Sequence, residues 1–400
     1  MYNAELAPKE IRGRLVGFQQ LMINTGLLLS GWIGFGTNYI TTDWSWRIPY
    51  LIQVAPAIIL CFAPFVLPRS PRWLVEQGRI EEAHSVLAKI HGKNDFDHPY
   101  VLMELQEIKD NVELENNIAV SNYWKMLMDK ANSRVLWVGC SIAIFQQLTG
   151  ANVIMYYAPL MFKQAGLDGN MSLLANGINY IVMVLFCLPG MWLVDKIGRV
   201  KLMVIGSTGM CVGFILMAAL YGGCGYTEYS EAELMNVVNM SEHPQAANAV
   251  IAFIFIFVAF YGTTWAPVAW IYIAEIFPLR IRSKGFAFAS ALLWCANILV
   301  GQVTPVLMDA ITWGTYLIYA VVGIIMLIWV VLFAPEPKGM SLEEMEVVFH
   351  GPIIVTKLDY GSYLEAHREE IERKRAEVAA AAAGHKVNDG SFTEKAENSA

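Results

Sequence analysis

The chain has 400 residues, 56% of them hydrophobic and 16% charged, with a formal net charge of -7 and a mean hydropathy of +0.43. A chain this long and this apolar is not one ordinary soluble core, and its negative balance argues against nucleic acid as a partner. The six cysteines, Cys61, Cys140, Cys187, Cys211, Cys224 and Cys295, follow neither a metal-ligand spacing nor a disulfide pattern and read as small apolar packing residues.

In chain order, runs with almost no Asp, Glu, Lys or Arg cover 15–42, 48–68, 135–162, 172–194, 202–225, 246–274, 285–308 and 311–334. A helix needs about 20 apolar residues to cross the hydrocarbon core of a bilayer. The runs therefore predict eight spans and an all-α membrane protein. Lys9, Arg12 and Arg14 precede a first run too long for a cleavable signal peptide, so it too reads as a span. Lys and Arg cluster at 9–14, 69–134, 196–201 and 280–284 and again in the tail. The positive-inside rule puts these segments, and with them both termini, in the cytoplasm. Asp43, Asp168, Glu228, Glu231, Glu233 and Glu242 then face the other side, as do the sequons Asn170-Met171-Ser172 and Asn239-Met240-Ser241.

The spans divide the chain into a two-span segment (1–72), a polar cytoplasmic linker (73–134), a six-span segment (135–339) and a cytoplasmic tail (340–400). In the linker, Ala83, Val86, Leu87 and Ile90 share one face of a predicted amphipathic helix. His84, His91, His98 and His350 share no ligand spacing, and neither metal nor cofactor is expected. In the tail, Ser341 before Glu343 and Glu344 has the pattern of a capped helix start. Residues 365–383 read as a charged, alanine-rich helix and those after them as disordered.

The run at 135–162 is charge-free, yet its middle holds Gln146, Gln147 and Asn152, followed by Tyr156 and Tyr157. A helix in hydrocarbon satisfies its own backbone and leaves side-chain amides in need of partners. Either these amides bond neighbouring helices, as is common in bundles, or they face a ligand. Uncharged donors and acceptors beside aromatic rings suit a neutral polyol, whose hydroxyls take hydrogen bonds and whose C–H faces take a flat apolar surface. In the run at 246–274, Gly262 and Pro267 interrupt the helix just before Trp270. Proline frees a backbone carbonyl and allows bending, which makes either a gate or a static kink. No carboxylate pair in a cleft, nucleophile constellation or phosphate-cradling glycine loop is present, so an enzyme is not indicated.

The chain also repeats itself. Tyr2 to Arg12 matches Tyr272 to Arg282 at six of eleven positions with an offset of 270, and Pro68-Arg69-Ser70-Pro71-Arg72 is echoed by Pro335-Glu336-Pro337-Lys338-Gly339. Parallel repeats of this kind build transporters that hold substrate between two halves. About four spans precede Tyr272 within its copy and none precedes Tyr2, so roughly four helices of a twelve-helix protein are expected to be missing from this sequence.

Ala4-Glu5 through Arg12-Gly13, Pro68-x-Ser70-Pro71-Arg72-Trp73-Leu74, Gln146-Gln147-Leu148-Thr149-Gly150-x-Asn152 with Tyr156-Tyr157, Asp195-x-x-Gly198-Arg199, Ala274-Glu275 with Arg282, and Pro335-Glu336-x-Lys338-Gly339 occur in this order over residues 1–349. Together they resemble the sugar porters of the major facilitator superfamily, and the linker and the Trp265 to Trp270 stretch look most like fungal members. The resemblance implies a helical bundle with about eight of twelve transmembrane helices present. It implies transport of a sugar, a hexose such as glucose, by alternating access, in the plasma membrane. Its binding residues would be Gln20, Gln146, Gln147, Asn152 and Asn179, with Tyr156 near the outer gate and Trp270 and Trp294 against the sugar ring. Asn297 is a further candidate, and Leu293 stands where some relatives carry an amide. Glu5, Arg12, Arg72, Asp195, Arg199, Glu275 and Arg282 would form salt bridges that close the cytoplasmic side, with Gly262 and Pro267 at the gate helix. Arg69 stands where the family usually has an acid. The family's proton-coupling pair lies on helices outside this sequence, which leaves protons undecided as co-substrate. The same resemblance admits a sugar sensor, or a fragment that does not transport.

Overall fold

The computed structural model describes residues 12–91, 95–118, 122–231, 233–278, 280–356 and 359–373. It opens with α1 (Arg12–Thr37) and α2 (Trp44–Val66), followed by the short linker helices α3 (Pro71–Glu76), α4 (Ile80–His91), α5 (Pro99–Ile118) and α6 (Tyr123–Met128). The larger bundle follows as α7 (Lys130–Leu148), α8 (Ala151–Gln164), α9 (Gly169–Ile197), α10 (Arg199–Cys224), α11 (Pro244–Thr263), α12 (Trp265–Ile276), α13 (Arg282–Ile311) and α14 (Gly314–Phe333). Two tail helices, α15 (Leu342–His350) and α16 (Tyr360–Ala366), close the described chain. Among the described residues, seven helical paths are long and apolar enough to cross a membrane, with α7–α8 and α11–α12 each counting as one path. The eighth predicted span, α1, has the length at 26 residues but carries Gln19, Gln20, Asn24 and Thr25, which lower its hydropathy.

Two departures from the sequence reading bear on the site. Residues 135–162 do not form one helix: α7 ends at Leu148, and Gly150 takes φ +78, a left-handed conformation that restarts the chain as α8. A β-carbon at Gly150 would also collide with the ring of Phe214. In the second run the break falls at Thr264 (φ -119, ψ -89), between the predicted interrupters and at neither of them. Pro267 is the third residue of α12, where a missing N–H removes no intrahelical bond. Gly262 is buried in the last turn of α11.

A hairpin that the sequence reading did not foresee joins α10 to α11. Strand β1 (Tyr226–Ser230) pairs antiparallel with β2 (Met235–Asn239), with Tyr226 opposite Asn239 and Ser230 opposite Met235. In the linker, Ala83 and Leu87 are buried with Leu74, Val101 and Leu105, and Val86 packs at the edge. Ile90, expected on the same face, is 40% exposed, because it lies in the last turn of α4, beyond the reach of that small cluster. Ser341 caps α15 through a capping box with Glu344. Residues 374–400, including most of the predicted alanine-rich helix, lie outside the described residues.

The core belongs to α7 through α14. Its largest buried side chains are anchored by polar atoms: Trp265 Nε1 donates to Ser207 Oγ (2.9 Å) and Met203 O (3.0 Å), Tyr221 donates to Met161 O (2.9 Å), and Tyr272 donates to Pro335 O (3.0 Å). Helix α2, by contrast, buries none of its 23 residues.

Candidate functional site

The break between α7 and α8 organises the polar residues. Thr149 Oγ1 donates to Gln146 O (2.8 Å) and accepts from Ala151 N (3.3 Å), using an orphan carbonyl at one helix end and an orphan N–H at the next. Gln146 and Gln147 occupy the last turn of α7 and Asn152 the first turn of α8, so the turn converts a seven-residue sequence cluster into a spatial one. Gln147 Nε2 donates to Gln146 Oε1 at 3.0 Å. Gln147 Oε1 accepts from Asn152 Nδ2 and, at 3.0 Å, from Asn297 Nδ2 of α13. Asn297 Nδ2 also reaches the Tyr156 hydroxyl at 3.1 Å. Five of the predicted site residues thus form one chain of hydrogen bonds, Gln146, Gln147, Asn152, Asn297 and Tyr156. Within the chain each amide is satisfied by a neighbouring side chain, so donors and acceptors are matched.

The other predicted site residues are not hydrogen-bonded to this cluster. Asn179 on α9 is fully buried, and neither its Oδ1 nor its Nδ2 has a partner among the described residues. A buried polar group left unpaired costs about 1–3 kcal/mol, so its retention calls for a water or a ligand. Gln20 on α1 donates to Asn24 Oδ1 at 3.4 Å. Trp270 is partly buried, its ring 6.1 Å from that of Phe286. Trp294 is 59% exposed, one helical turn from Asn297, while Leu293 beside it is buried and turned into the core.

Sequence reasoning missed Asn24, whose side chain reaches the Cys187 thiol, and Asn176, whose buried Oδ1 has no partner among the described residues. Their signal was available, since Asn24 follows Gln20 by one turn and Asn176 precedes Asn179 by one turn, each inside a predicted span.

At the basic end of the bundle, Arg199 joins three elements. It grips Glu275 of α12 with two bonds (Nε 2.9 Å, Nη2 2.8 Å), Asp195 of α9 at 3.1 Å, and the Val194 carbonyl at 3.1 Å. The Glu336 carboxylate caps α10, accepting from Arg199 N (2.8 Å) and Val200 N (2.9 Å), an anion placed on a helix N-terminus. Arg282 donates to Ala274 O at 3.1 and 3.2 Å. Arg72 is in the first turn of α3. Glu5 and the side chain of Arg12 lie outside what the structure describes. Arg134, also unforeseen, donates to the carbonyls of Val348, Phe349, Gly351, Pro352 and Ile353 and so clasps the tail to the first turns of α7.

Three comparisons bear on this geometry. The sequence profile described as "Sugar (and other) transporter" matches residues 1–349. The MFS glucose transporter mfs1 of Aspergillus flavus is 35% identical over 382 residues, covering 93% of this chain and 72% of that protein. The high-affinity glucose transporter of Kluyveromyces lactis is 34% identical, over 86% of this chain and 63% of its own length. The chain therefore spans about two thirds of the curated relatives it matches. Among solved structures, the proton:xylose symporter XylE bound to 6-bromo-6-deoxy-D-glucose superposes with a TM-score of 0.66 at 31% identity, covering 87% of this chain and 69% of the other.

Proposed function

The chain belongs to the sugar (and other) transporter family of the major facilitator superfamily, and on that premise we propose that it moves a neutral sugar, a hexose such as glucose, across the plasma membrane by alternating access. The observation that carries this reading is the amide cluster at the α7–α8 break. It presents neutral hydrogen-bonding groups from Gln146, Gln147, Asn152 and Asn297, with the half-exposed Tyr156 at its edge and no charge among them. That is the chemistry of a polyol site, for which a charged group would be costly in hydrocarbon and unnecessary for recognition.

In this reading Asn179 takes a sugar hydroxyl, for which its two unpartnered atoms are suited, and Gln20 contributes from α1. The Trp270 and Trp294 rings lie against the C–H face of the sugar. The bend at Thr264 lets α12 move relative to α11. Asp195, Arg199 and Glu275, with Glu5, Arg12, Arg72 and Arg282, close the cytoplasmic side when the cavity opens outward. Arg199 is only 11% exposed and holds Glu275 with two bonds, so the bond to the 76%-exposed Asp195 is the weaker one, suited to break first during a cycle. The termini, the linker (73–134) and the tail (340–400) are cytoplasmic, and the spans group as 1–72 and 135–339.

Uptake of labelled glucose by a host lacking hexose transport tests the proposal, with binding measured on the purified chain in parallel. Saturable uptake competed by unlabelled hexose is expected. A chain that binds no sugar would overturn the assignment of the amide cluster. The same assay with and without a protonophore decides whether protons accompany the sugar.

A further inference from the structure

A groove of about 400 Å³ opens where α10 leans on α14, lined by Ile197, Val200, Lys201, Val204, Ile205 and Val331. All but Lys201 are aliphatic, and the groove lies on the outside of the bundle, away from the amide cluster. Lys201 is exposed and makes no ion pair among the described residues.

Two more lysines gather at the same end. Lys196 holds its ammonium 3.6 Å from the centre of the Trp192 ring, and Trp192 is itself largely exposed. Lys338 Nζ donates to the Lys196 carbonyl at 2.6 Å. The carboxylates nearby are occupied otherwise, Asp195 and Glu275 by Arg199 and Glu336 by the first N–H groups of α10. Among the described residues, none of these three lysines has a carboxylate partner.

The tail loop borders the same groove. Thr356 Oγ1 donates to Val331 O (2.8 Å) and Val355 N to Leu332 O (2.8 Å), using carbonyls that the last turn of α14 leaves free. Beside them Ile353 and Ile354 are more than half exposed. An exposed tryptophan, exposed isoleucines and long lysines at one end of a spanning bundle are the composition of a membrane interface.

We propose that this groove binds an anionic phospholipid, with one acyl chain against Val200, Val204, Ile205 and Val331 and the headgroup phosphate against Lys201, supported by Lys196 and Lys338. The apolar lining alone would take the tail of any lipid. The uncompensated lysines select the headgroup, each favouring an anionic surface roughly fivefold.

The test is electron spin resonance on the full chain in phosphatidylcholine bilayers doped with spin-labelled phosphatidylserine or spin-labelled phosphatidylcholine. The motionally restricted fraction should be several-fold larger for phosphatidylserine. Lys201→Gln should bring it most of the way to the phosphatidylcholine value, while Lys163→Gln, at the opposite end of the bundle, leaves it unchanged. Val204→Phe, which fills the groove and keeps Lys201, should also lower it, and soluble glycerophosphoserine should not compete. Equal restriction of the two lipids, a preference that survives Lys201→Gln or Val204→Phe, an equal loss in Lys163→Gln, or competition by the soluble headgroup would each overturn the proposal.

Discussion

The two broken spans, α7–α8 and α11–α12, have the same outline and different causes. Their paths run 35 and 33 residues, about 50 Å at 1.5 Å per residue, well beyond a hydrocarbon core of about 30 Å. The first break is written in the local chain. Gly150 has a positive φ that L side chains avoid, and Thr149 bonds both helix ends across it. The second contains no residue with a positive φ and is held from outside. Gly190 of α9 lies so close to Thr263 that a β-carbon there would collide with its backbone. Thr263 Oγ1 reaches across to Phe186 O at 3.1 Å, and Trp265 is pinned to α10. The first break is thus held by its own residues, and the second by contacts from neighbouring helices.

The largest expected effect separates the site from the scaffold. Gln147→Ala removes the acceptor shared by Asn152 and Asn297; Asn297 keeps the Tyr156 hydroxyl, and both amides are only part-buried, so water replaces the lost bonds at little cost in stability. Sugar affinity by titration calorimetry should fall at least roughly tenfold, with little change in melting temperature if binding is what the cluster serves. A large loss of stability with affinity intact would make it a structural bond network instead.

The next pair tests the contrast directly. Gly150→Ala forces an alanine into a left-handed conformation, about 1–2 kcal/mol, and drives a methyl into Phe214. Gly190→Ala overpacks the α9–α11 contact, at about 1–3 kcal/mol. Both should lower the melting temperature in detergent. Truncating the neighbour separates them: Phe214→Ala removes the ring that Gly150→Ala strikes and leaves only its φ penalty, whereas Thr263→Gly leaves in place the backbone carbonyl that Gly190→Ala strikes and should recover little. Equal rescue of both would erase the distinction.

This contrast also explains what was legible in the sequence. Run lengths and charge placement gave the spans because hydrocarbon thickness imposes them, and the amides of the first break stood out because Gln146, Gln147 and Asn152 are adjacent in the chain. Asn297, the residue that ties that cluster to α13, is 150 positions from Gln147 and carries no local signal. The break at Thr264 was misplaced because its causes, Gly190, Phe186 and Ser207, lie on other helices. The hairpin of Tyr226–Ser230 with Met235–Asn239 was hidden because β1 has one polar, mostly exposed face pattern and no apolar alternation. Arg134 read as one of many cytoplasmic cations until the tail carbonyls were seen around it.

A smaller effect with opposite signs follows from Asn179. Leucine fits an amide's volume approximately and removes two unpartnered polar atoms from a fully buried position. Asn179→Leu should therefore hold or raise stability by about 1 kcal/mol while weakening sugar binding. Thermal melts with and without saturating glucose distinguish the two: the ligand-free melt rises and the shift on adding sugar shrinks. An unchanged ligand-induced shift would leave Asn179 out of the site.

The smallest effect is the most pointed for the gate. If Pro267 caused the bend in the second span, Pro267→Ala would straighten it and alter transport. The break instead precedes the proline by three residues, at Thr264, and Pro267 occupies the first turn of α12, where no intrahelical bond awaits its nitrogen. Alanine there restores an N–H with no partner to claim, and loses only the stiffness of a fixed φ, worth about 0.4–1 kcal/mol through the unfolded chain. Uptake by Pro267→Ala should therefore match the parent, and the melting temperature should fall slightly. By contrast, Trp265→Phe removes the indole N–H that anchors α12 to Met203 and Ser207, and should slow uptake more than the proline change does. If the order is reversed, the kink lies in the chain after all, and the two spans bend for the same reason.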